Sequence, residues 1–343
     1  MRALFKTENS DELLAWRDVP SPQLQHATDA IVRPVAVAAC DLDRSIALGQ
    51  PVFPGEFMLG HEFCAEVLEV GDEVCHLSQG DLVLASFQPS CGACPRCSRA
   101  LSSVCGAVPN GTMYGIGATG GDWGGAYADS IRVPWAGYNL RALSLSTNPA
   151  TLASASDNFA DGLRGVDGPL RRNPGAGVLI AGSGSIPLYA VICAKFLGAG
   201  SITVASADEF VLDTAAALGA DCLPVDSDRW PKRFASFDIT VDCTNQTQGL
   251  SCVLQSTAPY GECTSSSIFF GGPIAVPMFN LNMRGISFHT GRVNSAGQLD
   301  RVLELVNAGI DLDQINPAYV GFADVAQALV ELPFSQKVIA TPA

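Results

Sequence analysis

Cys91, Cys94, Cys97 and Cys105 stand in the spacing C-x2-C-x2-C-x7-C. Four thiolates this close suit a closed tetrahedral zinc site, and Gly92 and Pro95 help the backbone fold around an ion. An iron–sulfur cluster is the competing metal reading, but its bacterial spacing ends in x3. Two disulfides are the other alternative. We take the set as a structural zinc site. With four protein ligands it has no open position, so it holds a loop and does no chemistry.

A second set is spread over more chain. Cys40-Asp41-Leu42-Asp43 follows a strand, and Gly60-His61-Glu62 comes some way later. A thiolate and an imidazole are a good pair for zinc. Singly, a cysteine is more often a small buried residue and a histidine an ordinary polar one. Together they point to a catalytic metal, which needs three protein ligands and one open position. Asp157, in Ser156-Asp157-Asn158-Phe159-Ala160-Asp161-Gly162, is the expected third ligand; capping the next helix is its alternative role. Glu62 and Asp43 are placed to orient ligands by hydrogen bonds. His26, His76 and His289 have no such company.

The third motif is Val178-Leu179-Ile180-Ala181-Gly182-Ser183-Gly184-Ser185-Ile186-Pro187, a strand running into G-x-G-x-x-P and a helix. Gly182 allows the tight turn, Gly184 lets backbone approach a pyrophosphate, and Ser185 and Ile186 open the helix beneath it. Pro187 replaces the third glycine; the first helical turn tolerates it, though close helix–strand packing becomes less certain. The second strand ends Val204-Ala205-Ser206-Ala207-Asp208-Glu209, so Ser206 stands where an acid would hold the ribose. No Arg or Lys follows to meet a 2′-phosphate, and Asp208 and Glu209 would repel one. NAD is favoured, with NADP not excluded.

These side chains need two kinds of scaffold. Residues 1 to about 150 read as short β segments with Gly/Pro punctuation: Ile31 to Val37, Ala65 to Gly71 and Gly80 to Leu84. That suits an antiparallel, barrel-like domain. From about 175, strands (Val178 to Ala181, Ser201 to Ala205, Phe237 to Asp242) alternate with helices (Leu188 to Leu197, Glu209 to Leu218), which implies an α/β fold with a doubly wound parallel sheet. Beyond about 290, a helix (Gln298 to Asn307) and a short tail should pack back onto the first domain. The expected division is residues 1–150 with 291–343, and 151–290.

Composition narrows the partners. Hydrophobic residues make up 48% and charged residues 16%, which excludes a disordered or coiled-coil chain. The net charge is −14 and no basic run occurs, which argues against nucleic acid and anionic membranes. The longest apolar stretches are strand-sized, and no secretory signal is evident, so a cytoplasmic protein is expected. Twelve cysteines, clustered or scattered among apolar residues, fit metal binding and burial better than a disulfide framework.

Taken in order, Cys40, Gly60-His61-Glu62, the four-cysteine lobe, Asp157 and the glycine turn resemble the zinc-dependent medium-chain alcohol dehydrogenases. The resemblance covers essentially the whole chain. It implies a GroES-like β-rich catalytic domain, a Rossmann domain, two zinc ions per subunit and a homodimer or homotetramer. It places Cys40, His61 and Asp157 as ligands of the catalytic zinc, Glu62 beside it, and Asp43 as the orienter of the histidine. It also implies hydride transfer between a small alcohol, or the matching aldehyde or ketone, and the dinucleotide. One departure matters: the family's usual Ser or Thr, which passes on the alcohol proton, is Leu42. Asp161, where a Thr is common, is the expected substitute or a residue facing the nicotinamide. Leu42 also resembles atypical members that dismutate aldehydes or reduce C=C bonds. A non-catalytic dinucleotide-binding protein is a further alternative, which the open ligand set disfavours.

Overall fold

The computed structural model describes residues 1–9, 11–50, 53–144 and 146–342. The chain forms two units. The first comprises Met1–Asp157, Asn294–Ala308 and Pro317–Ala343, and the second Asn158–Val293 and Gly309–Asn316. Ala343 itself lies outside the described residues.

The first unit is β-rich. Its larger sheet runs Ala318–Gly321, Val338–Thr341, Ala30–Ala38, Glu62–Val70, Leu82–Ala85, Leu140–Ala142, and Ile131–Val133 pairs with Ala30–Ala38 off that path. Pairing is antiparallel except between the first two strands. A smaller sheet joins Leu14–Asp18, Arg2–Lys6 and Phe57–Met58. Strand Ala30–Ala38 is central and buried along most of its length. Pro34 sits inside it, where an interior proline is normally excluded, because the register shifts between Pro34 and Ala36. The core gathers Val32, Val37, Phe63, Val67, Tyr114, Tyr127 and Val338.

The first unit keeps residues the sequence reading had assigned elsewhere. Its first segment runs to Asp157, past 150, because the turn Pro149–Leu152 packs on strands Ala30–Ala38, Glu62–Val70 and Leu82–Ala85. The chain re-enters it at Asn294, and Gly309–Asn316 belongs to the second unit.

The second unit is a six-stranded, all-parallel sheet ordered Asp221–Pro224, Ser201–Ser206, Gly177–Gly182, Phe237–Cys243, Thr257–Ser265, Ser287–Thr290. The order reverses between Gly177–Gly182 and Phe237–Cys243, which makes the crevice at their carboxyl ends the natural ligand position. Helix Asn158–Arg172 is the one that follows Asp157, where a helix was expected without bounds, and it forms although it carries Gly162, Gly165, Gly168 and Pro169. Packing explains the composition. A β-carbon on Gly162 would lie 2.7 Å from Ala190 N, and one on Gly165 3.0 Å from Val241. Small residues here let the helix lie directly on helix Ser185–Phe196 and on the sheet.

Candidate active site

Cys40 ends the loop after strand Ala30–Ala38 and is the N-cap of helix Asp41–Ala47. The buried Asp43, one turn into that helix, accepts a hydrogen bond from Cys40 N at 3.0 Å through Oδ2. Its other oxygen, Oδ1, faces His61 Nδ1 at 3.5 Å. One carboxylate therefore braces both residues, as an outer-shell orienter should. His61 is fully buried, with its ring 5.8 Å from that of Phe87. Gly60 before it has φ 94°, and a β-carbon there would lie 2.7 Å from the Tyr127 ring. Only glycine fits that bend and contact.

Asp157 completes the set: His61 Nε2 lies 3.3 Å from Asp157 Oδ2. Ligand atoms of Cys40, His61, Glu62 and Asp157 all lie within 4.8 Å of one another. Tetrahedral zinc with bonds of about 2.0–2.3 Å needs ligand atoms roughly 3.3–3.8 Å apart, so this cluster needs little contraction. Neither ring nitrogen of His61 completes a hydrogen bond, an orphaned state that a metal on one side would explain.

Glu62 differs from the other three. It is fully buried, and its Oε1 accepts from Lys337 Nζ at 2.7 Å while Oε2 accepts from Ser154 Oγ. Lys337 is itself buried, its side chain 1% exposed. With the Cys40 thiol ionised and His61 neutral, as metal ligation requires, Cys40, Asp43, Glu62 and Asp157 would face the single ammonium of Lys337, an excess of negative charge that a dication offsets. Burial pushes the Cys40 thiol up to about 12 despite the neighbouring His61. Burial alone would lower the pKa of His61, but Asp43, Asp157 and Cys40 together hold it well above its usual range. Burial and Asp157 raise Glu62 to about 7 against the pull of Lys337. All three departures mark a cluster of donors brought together in low dielectric.

The four-cysteine lobe is a separate cluster whose sulfurs lie within 4.8 Å of one another. Cys91 and Cys105 sulfurs are 3.5 Å apart, and the N–H groups of Cys91, Cys94, Gly106 and Ala107 point at sulfurs at 3.3–3.4 Å. Such donors stabilise thiolates; those of Cys97 and Gly106 bring Cys94 down to about 6. The donor chemistry fits zinc, and no disulfide forms among the described cysteines.

In the second unit, Gly182 has φ 137° at the strand end, and a β-carbon on it would lie 2.2 Å from Cys243 O. Gly184 is the N-cap of helix Ser185–Phe196, and a helix N-terminus directs backbone N–H groups outward where they can receive a phosphate. Buried Asn158 donates to Ser185 Oγ at 2.7 Å, a support the sequence reading did not mark. Ser206 is fully buried and its Oγ accepts from Asp208 N at 3.1 Å, while Asp208 caps helix Glu209–Ala217 through Phe210 N and Val211 N. Both have local tasks at the strand end.

Asp161 also has a task. Arg164 Nε donates to its Oδ1 at 2.7 Å, and the same guanidinium reaches Ser265 O and Ser266 Oγ, both at 3.2 Å. The carboxylate thus anchors an arginine that ties the helix to a strand end. Lys337 and Ser154 are the partners in the first unit that sequence reasoning missed. The one available signal was scarcity: the chain has only four lysines, and Lys337 adjoins an apolar strand.

The family model of the alcohol dehydrogenase GroES-like domain matches residues 26–140, and that of the zinc-binding dehydrogenases residues 186–308. Among curated relatives, a glutathione-independent formaldehyde dehydrogenase of Pseudomonas aeruginosa is 34% identical over 197 residues, 55% of this chain and 48% of that protein. A formaldehyde dismutase of Pseudomonas putida is 33% identical over 199 residues, 54% of this chain and 49% of that protein. The matched stretch thus spans about half the length of these relatives. Over the whole of both chains, an alcohol dehydrogenase from Thermus sp. ATN1 is 28% identical with a TM-score of 0.90. Two zinc-compatible donor sets, a dinucleotide turn on a six-stranded parallel sheet and these matches agree: the chain belongs to the zinc-dependent medium-chain alcohol dehydrogenase family.

Proposed function

We propose that this chain is an oxidoreductase that transfers a hydride between a small alcohol, or the matching aldehyde or ketone, and NAD. The observation that carries the reading is the contrast between its donor sets: four thiols, and a mixed cluster of Cys40, His61, Asp157 and Glu62 in which Glu62 is engaged by Lys337 and Ser154, so that three ligands and an open position are the reading we adopt. Zinc on the latter would polarise the substrate oxygen as a Lewis acid, and a nicotinamide dinucleotide on the Gly182–Ile186 turn would exchange the hydride. The chain's own residues do the rest. Asp43 fixes the histidine ring and the Cys40 backbone together. Lys337 and Ser154 hold Glu62 by both oxygens. Phe87, with its ring 5.8 Å from that of His61, brings apolar surface to the metal end, which favours a small, weakly polar substrate.

NAD is supported by Asp208 and Glu209 at the end of strand Ser201–Ser206, where a 2′-phosphate would meet like charge. A second reading, aldehyde dismutation without release of cofactor, is supported by Leu42 and by the similarity to the formaldehyde dismutase. Steady-state assays with a panel of alcohols and aldehydes, each with NAD and NADP, separate these. Net NADH formation from alcohols supports the dehydrogenase. Equimolar alcohol and acid from an aldehyde, with no net NADH, establishes the dismutase. A kcat/KM that favours NADP overturns the cofactor assignment and turns attention to Arg229, exposed in the loop after strand Asp221–Pro224.

The same reading includes a homo-oligomer. On the second unit, Tyr260, Phe270, Met278, Phe279 and Met283 are exposed, Tyr260 and Phe279 by more than four fifths. They accompany Ser287–Thr290, the terminal strand of the parallel sheet. A second copy is the partner we propose for that face. The twelve cysteines, none of them in a disulfide, suit a reducing cytoplasm. Among the described residues no helix is long and apolar enough to cross a membrane.

A further inference from the structure

Within the first unit, the four-cysteine lobe and the turn that carries Asp157 meet the same short stretch of chain. Helix Ser295–Asn307 begins there. Ser103, between Cys97 and Cys105, donates to Asn294 Oδ1 from both its backbone N at 3.1 Å and its Oγ at 2.8 Å. Gly297 N donates to the buried Ser102 Oγ at 3.4 Å. A β-carbon on Gly297 would lie 2.2 Å from Ala100 O, so the lobe's backbone rests directly on the first helical turn. On its other side, the fully buried Ser295 donates through Oγ to Ser156 O at 2.7 Å. Ser156 is the residue before Asp157.

Other contacts hold the same turn from different sides. Ser154 ties it to Glu62, and Ser156 Oγ is buried with no partner. The carbonyl held by Ser295 is therefore the contact nearest in sequence to the ligand on its N-terminal side. A carboxylate ligand must be placed to within a few tenths of an ångström, and residues that hold a ligand from behind normally matter to metal affinity.

We propose that Asn294–Gly297 is a brace through which the four-cysteine lobe positions Asp157, which makes Asn294 and Ser295 positioning residues for the catalytic metal centre. The lobe then serves more than its own stability: its folded form holds Asn294 and Gly297, these fix the start of the helix, and Ser295 passes that placement to the Ser156 carbonyl. The inference rests on the reading of Cys40, His61 and Asp157 as the catalytic ligands.

The test uses full-length protein with zinc retained in the lobe, confirmed by elemental analysis, and titrates Co²⁺ into the three-residue site. Affinity comes from competition with a chelator, and the d–d absorption bands report ligand geometry. Ser295→Ala and Asn294→Ala are expected to weaken Co²⁺ binding about 10–100-fold and to shift the bands. Ser295→Thr, which keeps the hydroxyl, is expected to restore both. If Ser295→Ala does not fold, Ser103→Ala, cut at the lobe end of the same path, decides in its place. Unchanged affinity and bands in the folded variants overturn the brace. Cys40→Ser is the separate control: if it leaves Co²⁺ binding intact, the ligand assignment itself is wrong and the brace falls with it.

Discussion

Cys40 and Cys94 are the same residue type in two environments, and replacing each should produce a different failure. Cys40 is half-buried against His61 and Asp157 in an otherwise ordered core, so Cys40→Ser should abolish activity while the melting temperature stays nearly constant. Cys94→Ser opens the lobe and should lower the melting temperature, with one zinc lost per subunit. Elemental analysis of the unaltered protein should find two zinc ions per subunit; one, or iron, would contradict both assignments. Asp161 offers a sharper test. Its Oδ1 is engaged by Arg164, so Asp161→Asn should lower stability and leave the pH dependence of kcat in place. On that outcome, the proton of the proposed alcohol substrate would leave to water without a side-chain relay. A fall of about 10²–10⁴-fold in kcat with an altered pH profile would restore Asp161 as the relay. Ligand types and spacing picked out from sequence the residues that gather into the two donor clusters, because each is defined by its own chemistry. Lys337 was not legible. Its role depends on Glu62, 275 positions earlier, and no local pattern links a lysine before a strand to a glutamate in another.

At the scale of elements, helix Asn158–Arg172 carries the clearest lesson. Its glycines and proline read as breakers by propensity, yet the helix forms because tertiary packing rewards small residues more than propensity penalises them. It also answers the question raised by Pro187: the missing third glycine of the nucleotide turn is matched by Gly162 on the neighbouring helix, 2.9 Å from Ile186 O when a β-carbon is placed on it. Gly162→Val should therefore cost about 1–3 kcal/mol in a denaturant melt and weaken NAD binding. The same helix is tied at its far end by Arg172, whose Nε donates to Glu262 Oε1 at 2.8 Å. That hydrogen bond, with the charge of Arg172, holds Glu262 below its ordinary value of 4.5. A lowered carboxylate stabilises the fold above its unfolded pKa and loses that contribution as pH falls through the folded one. Glu262→Gln should thus flatten the acid limb of the stability profile below about pH 4.5, and only slightly, since Arg172 is largely exposed. By contrast, the strands and helices of the parallel sheet were readable because βα alternation repeats. The short strands Asp221–Pro224 and Ser287–Thr290 were not, having too few residues to show a period.

For the whole molecule, the exposed aromatic and methionine side chains near the terminal strand of the second unit lead to a prediction about assembly. If the proposed oligomer forms through this face, Phe279→Glu should give a monomer in light scattering coupled to size exclusion, while each subunit keeps the two zinc ions expected of it. A monomeric unaltered protein would remove the basis for this reading. No sequence pattern announced that face, because its residues come from the separate stretches around Tyr260, Phe270 and Phe279, and only the fold assembles them.

The first unit is built from three stretches of chain, with the second inserted among them. That has a consequence for synthesis on the ribosome. The inserted sheet has all its strands once Thr290 has emerged, whereas the first sheet must wait for Val338–Thr341, which fills the place between Ala318–Gly321 and Ala30–Ala38. Until then Val37 and Ala38 at the carboxyl end of strand Ala30–Ala38 lack their partner on that side, although Ala30 to Val32 already meet Ile131–Val133, and Glu62 has no ammonium to meet it, since Lys337 follows it by 275 positions. Nascent chains arrested before Lys337 should show a protease-resistant second unit beside a more digestible first one, and emergence of residues 337–341 should close both the sheet and the charge balance in one step.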